Sequence, residues 1–312
     1  MRIAAIDIGT VTTRLLVADV ADDGIREVER STDITHLGEG LTASGRLGTD
    51  AMHKVADIVA RYRSRIEALG VERTTAYATS ASRDADNAAD FLALLERVGV
   101  TPEVVAGSTE ARLAFTGATY ELEGDGILVA DLGGGSTELV LGNVSRENGG
   151  RVRDIEASRS IDVGSKRMTE LFLASDPPTH LELEEARTFA AHELRPYFDA
   201  LRSRPRLAVA LAGTATTLSA IKLELASYDP ELVHHSCLTG SDLSDLFEML
   251  AALPLERRKH VVGLDPGRAP VIVAGALILE TVVGMAGLDS TLVSEHDILY
   301  GMLLETYADA AQ

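Results

Sequence analysis

Ile6-Asp7-Ile8-Gly9-Thr10-Val11-Thr12-Thr13-Arg14-Leu15-Leu16-Val17 and Ala130-Asp131-Leu132-Gly133-Gly134-Gly135-Ser136-Thr137-Glu138-Leu139-Val140-Leu141 follow one pattern, written twice. The two stretches align without gaps at an offset of 131 − 7 = 124 residues. Asp7 falls on Asp131, Gly9 on Gly133, Thr12 on Ser136 and Thr13 on Thr137. In each copy an apolar run leads to a carboxylate, then to small residues, then to a second apolar run. That order predicts a strand, a tight turn and a strand. Such a turn exposes backbone N–H groups and hydroxyls that can hold phosphate oxygens. Two copies in one chain predict a duplicated domain with a phosphate chain held between the copies.

The sequence after each copy supports duplication. In the first half, residues 3–8, 14–20 and 25–30 read as a small antiparallel meander, and residues 38–48 as a glycine-punctuated loop. Residues 49–69 carry apolar side chains at helical spacing (Met52, Val55, Ala56, Val59, Tyr62, Ile66, Leu69), with Gly70 as the stop. A strand over 74–78, a helix over 85–98, a strand over 103–106 and a helix opened by Ser108 follow. The second half restarts the scheme with strands at 127–130, 138–141 and 153–158. Helices are expected near 165–174 and 183–201, and a buried strand at 207–212 runs into Gly213-Thr214-Ala215-Thr216-Thr217 and a helix. Helices over 243–252 and 270–286, a last strand at 292–294 and a terminal helix from 298 complete the pattern. The glycines at 117, 124 and 126 place the boundary near 117–125, with the terminal helix returning to the first domain. The expected domains are therefore 1–120 with 297–312, and 121–296.

Composition narrows the function. At 312 residues with 46% hydrophobic content, the chain can build two cores of ordinary size. It has no tryptophan, so aliphatic side chains must do most of the packing. The single cysteine, Cys237, excludes an intrachain disulfide and a cysteine-based zinc site, in keeping with a reducing, cytoplasmic setting. The N-terminal residues read as a strand rather than a leader, and the apolar run at 269–287 is broken by Pro270, Glu280 and glycines, so it reads as a buried helix and not a membrane span. A net charge of −19 argues against nucleic-acid and anionic-membrane partners. A phosphate-rich substrate then requires a locally basic site plus divalent metal. Arg14, Arg83, Arg112, Lys166, Arg167 and Arg268 lie beside the motifs in sequence.

Asp7, Asp131 and Glu138 are carboxylates at or beside the two turns. Phosphoanhydride hydrolysis calls for charge neutralisation, usually by Mg²⁺, and a positioned water. Mg²⁺ takes only one or two protein carboxylates, so sparse ligands are expected. The turn at Gly213 to Thr217, between a strand and a helix, is a third candidate anion or nucleotide position. Glu110, in the first turn of a helix, is a further acid that capping alone would explain. The eight histidines show no metal-ligand spacing, and His234 and His235, being adjacent, cannot share one face of a regular helix or strand. No Walker-type loop or protein-kinase signature is present.

Taken together, these residues resemble the exopolyphosphatase and guanosine pentaphosphate phosphohydrolase (Ppx/GppA) family of the actin-like ATPase superfamily, nearly end to end. Asp7-Ile8-Gly9-Thr10 through Arg14-Leu15 is similar to the family's first phosphate motif. Ala78-Thr79-Ser80-Ala81-Ser82-Arg83 is similar to the segment that follows it. Gly107 through Glu110-Ala111-Arg112-Leu113 resembles the motif of the catalytic glutamate, and Asp131 through Glu138 the second phosphate motif. Gly164 to Arg167 matches a basic loop, and Gly213 to Thr217 the adenosine-motif region. The resemblance implies an α/β fold of two duplicated actin-like (ribonuclease H-like) domains with an interdomain cleft. It implies Mg²⁺-dependent release of terminal orthophosphate from inorganic polyphosphate, and a homodimer.

The resemblance places the water-activating role on Glu110, metal binding on Asp7, Asp131 and Glu138, and a catalytic role also on Glu138. Phosphate binding falls on Gly9, Thr10, Thr12, Gly134, Gly135 and Ser136, with Gly213 and Thr214 at the third turn and Arg14, Arg83 and Arg167 as neutralising cations. Two positions depart from the pattern. Val11 stands where Asn is usual and removes a polar contact. His36, in Thr35-His36-Leu37-Gly38-Glu39-Gly40, stands where Arg is usual, which is expected to weaken a contact or make it pH-sensitive. The absence of further C-terminal helical domains by residue 312 suggests a preference for short chains. The alternatives are hydrolysis of the 5′-phosphate of guanosine pentaphosphate, the alarmone of the stringent response; phosphotransfer to a nucleoside diphosphate; and a non-catalytic regulator that binds polyphosphate or alarmone.

Overall fold

The computed structural model describes residues 1–147 and 150–310. Residues 311–312 of the expected first domain lie outside the described residues. The chain divides into two compact units, Met1–Gly117 with the terminal helix from Ile298, and Ala118–Asp297.

In the first unit the described elements run β1 (Arg2–Ile8), β2 (Thr12–Ala21), β3 (Gly24–Ile34), α1 (Leu41–Ser44), α2 (Thr49–Ala68), β4 (Arg73–Ala78), α3 (Ser80–Asp84), α4 (Ala88–Arg97), β5 (Glu103–Val104) and α5 (Gly107–Ala118). They form a five-stranded sheet of order β3-β2-β1-β4-β5. The second unit continues with β6 (Gly124–Leu132), β7 (Thr137–Glu147), β8 (Gly150–Ile161), α6 (Ser165–Phe172), α7 (His180–Asp199), β9 (Leu207–Leu211) and α8 (Ala212–Lys222). It ends with α9 (Pro230–Val233), β10 (Cys237–Thr239), α10 (Gly240–Ala252), α11 (Leu255–Arg258), α12 (Ile272–Ala286) and β11 (Ser290–Val293). Its six-stranded sheet has the order β10-β11-β9-β6-β7-β8. The terminal helix, α13 (Ile298–Ala310), belongs to the first unit.

The two sheets share a plan. β1 pairs antiparallel with β2 and parallel with β4; β6 pairs antiparallel with β7 and parallel with β9. One irregularity also recurs in both copies, although the shift in β6–β7 between Gly124 and Ile127 has no counterpart in β1–β2. The β2–β3 ladder slips between Val17 and Ala18, and the β7–β8 ladder between Leu141 and Gly142, positions that differ by 141 − 17 = 124 residues. A bulge at the same place in both copies keeps the same side chains on the core face of each outer hairpin.

Cores follow from the patterning. Ile3 to Ile6 and Ile8 of β1 are fully buried, as expected of a central strand covered on both faces. The apolar stripe of α2 (Met52, Val55, Ala56, Val59, Tyr62, Ile66) packs with them. In the second unit α12 is buried nearly all round, which explains the long apolar run, and none of the described helices is long and apolar enough to cross a membrane. Four elements differ from the sequence expectation. The outer strands β3 and β8 run longer than expected, because ladder bonds carry them through polar, half-exposed residues that a hydrophobic pattern does not mark. The helix expected over 85–98 begins three residues later, at Ala88, behind Asn87, whose side chain accepts from the Leu47 amide and donates to the Leu47 carbonyl. The edge strand β10 is too short to show a period.

Helix α13 approaches α5 at a glycine. A Cβ on Gly301 would lie 2.1 Å from the Leu113 carbonyl oxygen, whereas one on Gly284 of α12 would meet nothing within 4 Å. Gly301→Ala should therefore destabilise the protein by about 1–3 kcal/mol in denaturant unfolding, while Gly284→Ala should be neutral or stabilising by up to ~1 kcal/mol. Equal effects at the two positions would contradict this packing.

Candidate active site

Each copy of the turn is closed by the same bond. The Gly9 amide donates to the Thr12 carbonyl at 2.9 Å, and the Gly133 amide to the Ser136 carbonyl at 3.0 Å. Closing the chain over four residues leaves little room for a side chain at the first: a Cβ on Gly9 or Gly133 would stand 3.2 or 3.0 Å from the facing carbonyl oxygen, a tight contact.

In the first unit, cross-strand pairing sets Asp7 opposite Arg14. The buried Asp7 accepts from the Arg14 guanidinium at 2.6 and 3.0 Å through Oδ2. The loop after β3 holds the turn from outside. The Thr35 and His36 amides both donate to the Val11 carbonyl, and the Gly38 amide to that of Thr10. Val11, the first departure from the family pattern, is buried. His36, the second, sits at φ 52°, in the left-handed region.

Two further motif residues meet Asp7 and Arg14. Glu110, in the first turn of α5, is buried and accepts from the Arg83 guanidinium at 2.6 Å; the same Arg83 nitrogen reaches the Val105 carbonyl at 3.1 Å. Burial pushes the Glu110 carboxyl above the ordinary glutamate range, the Arg83 charge and hydrogen bond oppose that rise, Asp7 adds to it and Arg14 opposes it. The first unit thus gathers Asp7, Arg14, Arg83 and Glu110, with Thr10 buried in the turn and Thr12 at the start of β2.

In the second unit the position equivalent to Arg14 is Glu138, since 14 + 124 = 138, and it pairs across the ladder with Asp131. The opposite charges of the first copy become two carboxylates in the second, both buried. Like charges directly opposite are destabilising. Part of that cost is met by two hydroxyls, since Ser136 and Ser160 donate to Oε1 of Glu138 at 2.8 and 2.6 Å. Ser160 escapes motif reading, but the β7–β8 register, which sets it opposite Glu138, brings it there.

The glycine-rich turn is anchored through its carbonyls. The Ser165 amide donates to Gly133, the Lys166 and Arg167 amides to Gly134, and the Arg167 Nε to Gly135 at 2.8 Å. In a trans peptide the N–H points opposite the C=O. Tying the carbonyls to α6 therefore turns the amides of Gly134, Gly135 and Ser136 away from that helix. Gly164 makes the approach possible, because a Cβ there would stand 2.4 Å from the Gly134 carbonyl. Lys166 is half-buried beside Glu170 at 3.4 Å, and Arg167 lies 3.8 Å from Asp162.

The turn expected at Gly213 to Thr217 is not a separate loop: these residues lie within α8, which follows β9 directly. Ala212, at φ 62°, carries β9 into α8, and the Arg268 guanidinium lies where a Cβ of Gly213 would be. Thr214 is buried against Gly275 of α12.

The donor set fits a hard divalent cation. In the second unit Asp131 and Glu138 offer only carboxylate oxygen, the ligand type that Mg²⁺ takes, and a cation would relieve this facing pair; in the first unit Asp7 offers the same donor type but is bound by Arg14.

Comparison with known proteins bears on the family and the fold. Residues 16–306 match the model of the Ppx/GppA phosphatase family. The chain is 39% identical to exopolyphosphatase 2 of Mycobacterium tuberculosis over 97% of its own length and 98% of that protein. Among solved structures it is similar to a Ppx/GppA family member from Aquifex aeolicus (31% identity, TM-score 0.81, covering 100% of this chain and 99% of that one). It is also similar to an exopolyphosphatase from Cytophaga hutchinsonii (25% identity, TM-score 0.89, covering 99% and 98%). With an actin-like α/β fold repeated in two units and a family match over most of its length, the chain belongs to the Ppx/GppA phosphatase family.

Proposed function

We propose that this protein is an exopolyphosphatase, removing terminal orthophosphate from inorganic polyphosphate by hydrolysis. The observation that carries the proposal is Glu110: a buried carboxylate held by Arg83, in the electrostatic company of Asp7 and Arg14, beside a turn that can bind phosphate. Such a carboxylate is a stronger base than an exposed glutamate. The names of the relatives point to the same substrate.

In the proposed reaction the Glu110 carboxylate accepts a proton from the attacking water. The water oxygen bonds to the terminal phosphorus, the bond to the bridging oxygen breaks, and the chain leaves one phosphate shorter. Arg14 and Arg83 neutralise charge as it builds on the phosphoryl oxygens, and the amides of Thr10 and Val11 hold those oxygens in place; the amides of Gly134 to Ser136 offer phosphate donors in the second unit. Asp131, Glu138 and Asp7 would hold Mg²⁺, which when bound supplies further positive charge to the phosphates. Arg167, tied to Gly135, keeps a cation at the second turn.

Two outcomes test this. A general base must be ionised to act, and the Glu110 pKa is raised. kcat/KM for phosphate release from polyphosphate should therefore rise with pH along a limb whose midpoint lies above the ordinary glutamate value of about 4.3. Glu110→Gln should lower kcat by roughly 10²–10⁴-fold and abolish that limb. Full activity in Glu110→Gln would place the base elsewhere. Separately, Gly164→Ala should displace the second turn, raising KM for polyphosphate by about tenfold or more while the fold survives by circular dichroism. An unchanged KM would remove that turn from the substrate site.

A further inference from the structure

Glu121, His234 and His235 take no part in the arrangement above, yet the second unit brings them together. One ligand atom from each lies within 4.8 Å of the other two. Alternation along regular backbone would keep His234 and His235 apart, but His234 ends α9 and His235 adopts φ 58°. That left-handed step brings the second ring over the first, with centroids 3.8 Å apart and planes 27° from parallel. The His235 amide is pinned to the Val293 carbonyl at 2.7 Å. Nε2 of His234 stands 3.1 Å from Oε2 of Glu121. A third imidazole, His296, packs on His234 at 4.2 Å, with Nδ1 3.8 Å from the same carboxylate oxygen.

We propose that Glu121, His234 and His235 form a binding site for a transition-metal ion of the Zn²⁺ class, separate from the carboxylate set at the two turns. Two imidazoles and one carboxylate are a donor set that Zn²⁺ takes, with a fourth position for water. Mg²⁺ takes oxygen donors instead, so the two sites sort ions by ligand chemistry. Bonds of about 2.0–2.1 Å in tetrahedral geometry put donors roughly 3.4 Å apart. The observed spacing reaches that with side-chain rotation of Glu121 and His235, which are both exposed.

The His234 proton must move. Its Nδ1 now accepts from the Glu295 amide at 3.1 Å, so Nε2 carries the hydrogen and donates it to Glu121. Ligation through Nε2 transfers that proton to Nδ1 by way of solvent and gives up the Glu295 bond. Glu121 exchanges a hydrogen bond for a metal bond, and no net charge is lost from the protein. Losing one neutral hydrogen bond weakens binding by up to roughly tenfold, which a three-ligand Zn²⁺ site can absorb.

The full-length protein, stripped with a chelator, is titrated with Zn²⁺ against a chromophoric competitor in the presence of excess Mg²⁺. The expected result is one ion bound per chain with micromolar or tighter affinity. His235→Ala and Glu121→Gln should each weaken it by about tenfold or more, and Asp131→Asn should leave it unchanged. Co²⁺ should give the d–d absorption of a four- or five-coordinate ion, lost in His235→Ala. Because His235 and Glu121 are exposed, circular dichroism should match the wild type, so the loss is local. Zn²⁺ affinity that excess Mg²⁺ or Asp131→Asn abolishes would overturn the proposal, as would affinity untouched by His235→Ala and Glu121→Gln.

Discussion

A backbone amide folded back onto the carbonyl three residues later, Gly9 to Thr12 and Gly133 to Ser136, is the constraint on which the rest of this architecture depends. It sets β1 against β2 and β6 against β7 in a register that pairs the carboxylate before each turn with the residue seven positions later. Everything chemical follows from that pairing. In the first unit the opposed residue is Arg14 and the carboxylate is neutralised; in the second it is Glu138 and negative charge accumulates. One backbone geometry, used twice, thus yields a charge-paired and an acidic version of the same turn.

The environment of Glu110 shows why position in the chain says little about chemistry. At the first turn of a helix a glutamate is ordinarily a capping residue, solvated and acidic. Here burial removes the water, and Arg83 is brought from a separate short helix to bind the carboxylate. An ion pair of this kind is costly to desolvate, so it adds little to stability relative to an apolar pair of the same size.

The duplication, the central strands and the apolar helices were legible because each has a period or a motif that repeats. The outer strands were underestimated, since β8 alternates half-buried and exposed residues with few large apolar ones, and only its ladder with β7 shows its length. At the candidate site, the turn glycines and the carboxylates Asp7, Asp131 and Glu138 are marked by the repeated pattern, whereas Glu110 and the roles of Arg14, Arg83 and Arg167 are implied only by the family resemblance. Ser160 is marked by neither, because its place beside Glu138 depends on a partner 22 residues away. The turn of His235 was missed for a different reason: the rule that adjacent side chains diverge holds for helix and strand, and a single left-handed residue suspends it.

The bulge that recurs at Val17/Ala18 and Leu141/Gly142 divides each outer hairpin into two stretches of independent register. Residues on the near side stay in phase with the turn, whatever happens to the ladder beyond. The far ends of β2 and β3, around Asp22 and Asp23, are consequently insulated from Asp7 and Arg14. An inserted peptide at that tip is therefore expected to leave the pairing of Asp7 with Arg14 at the other end of the strands intact.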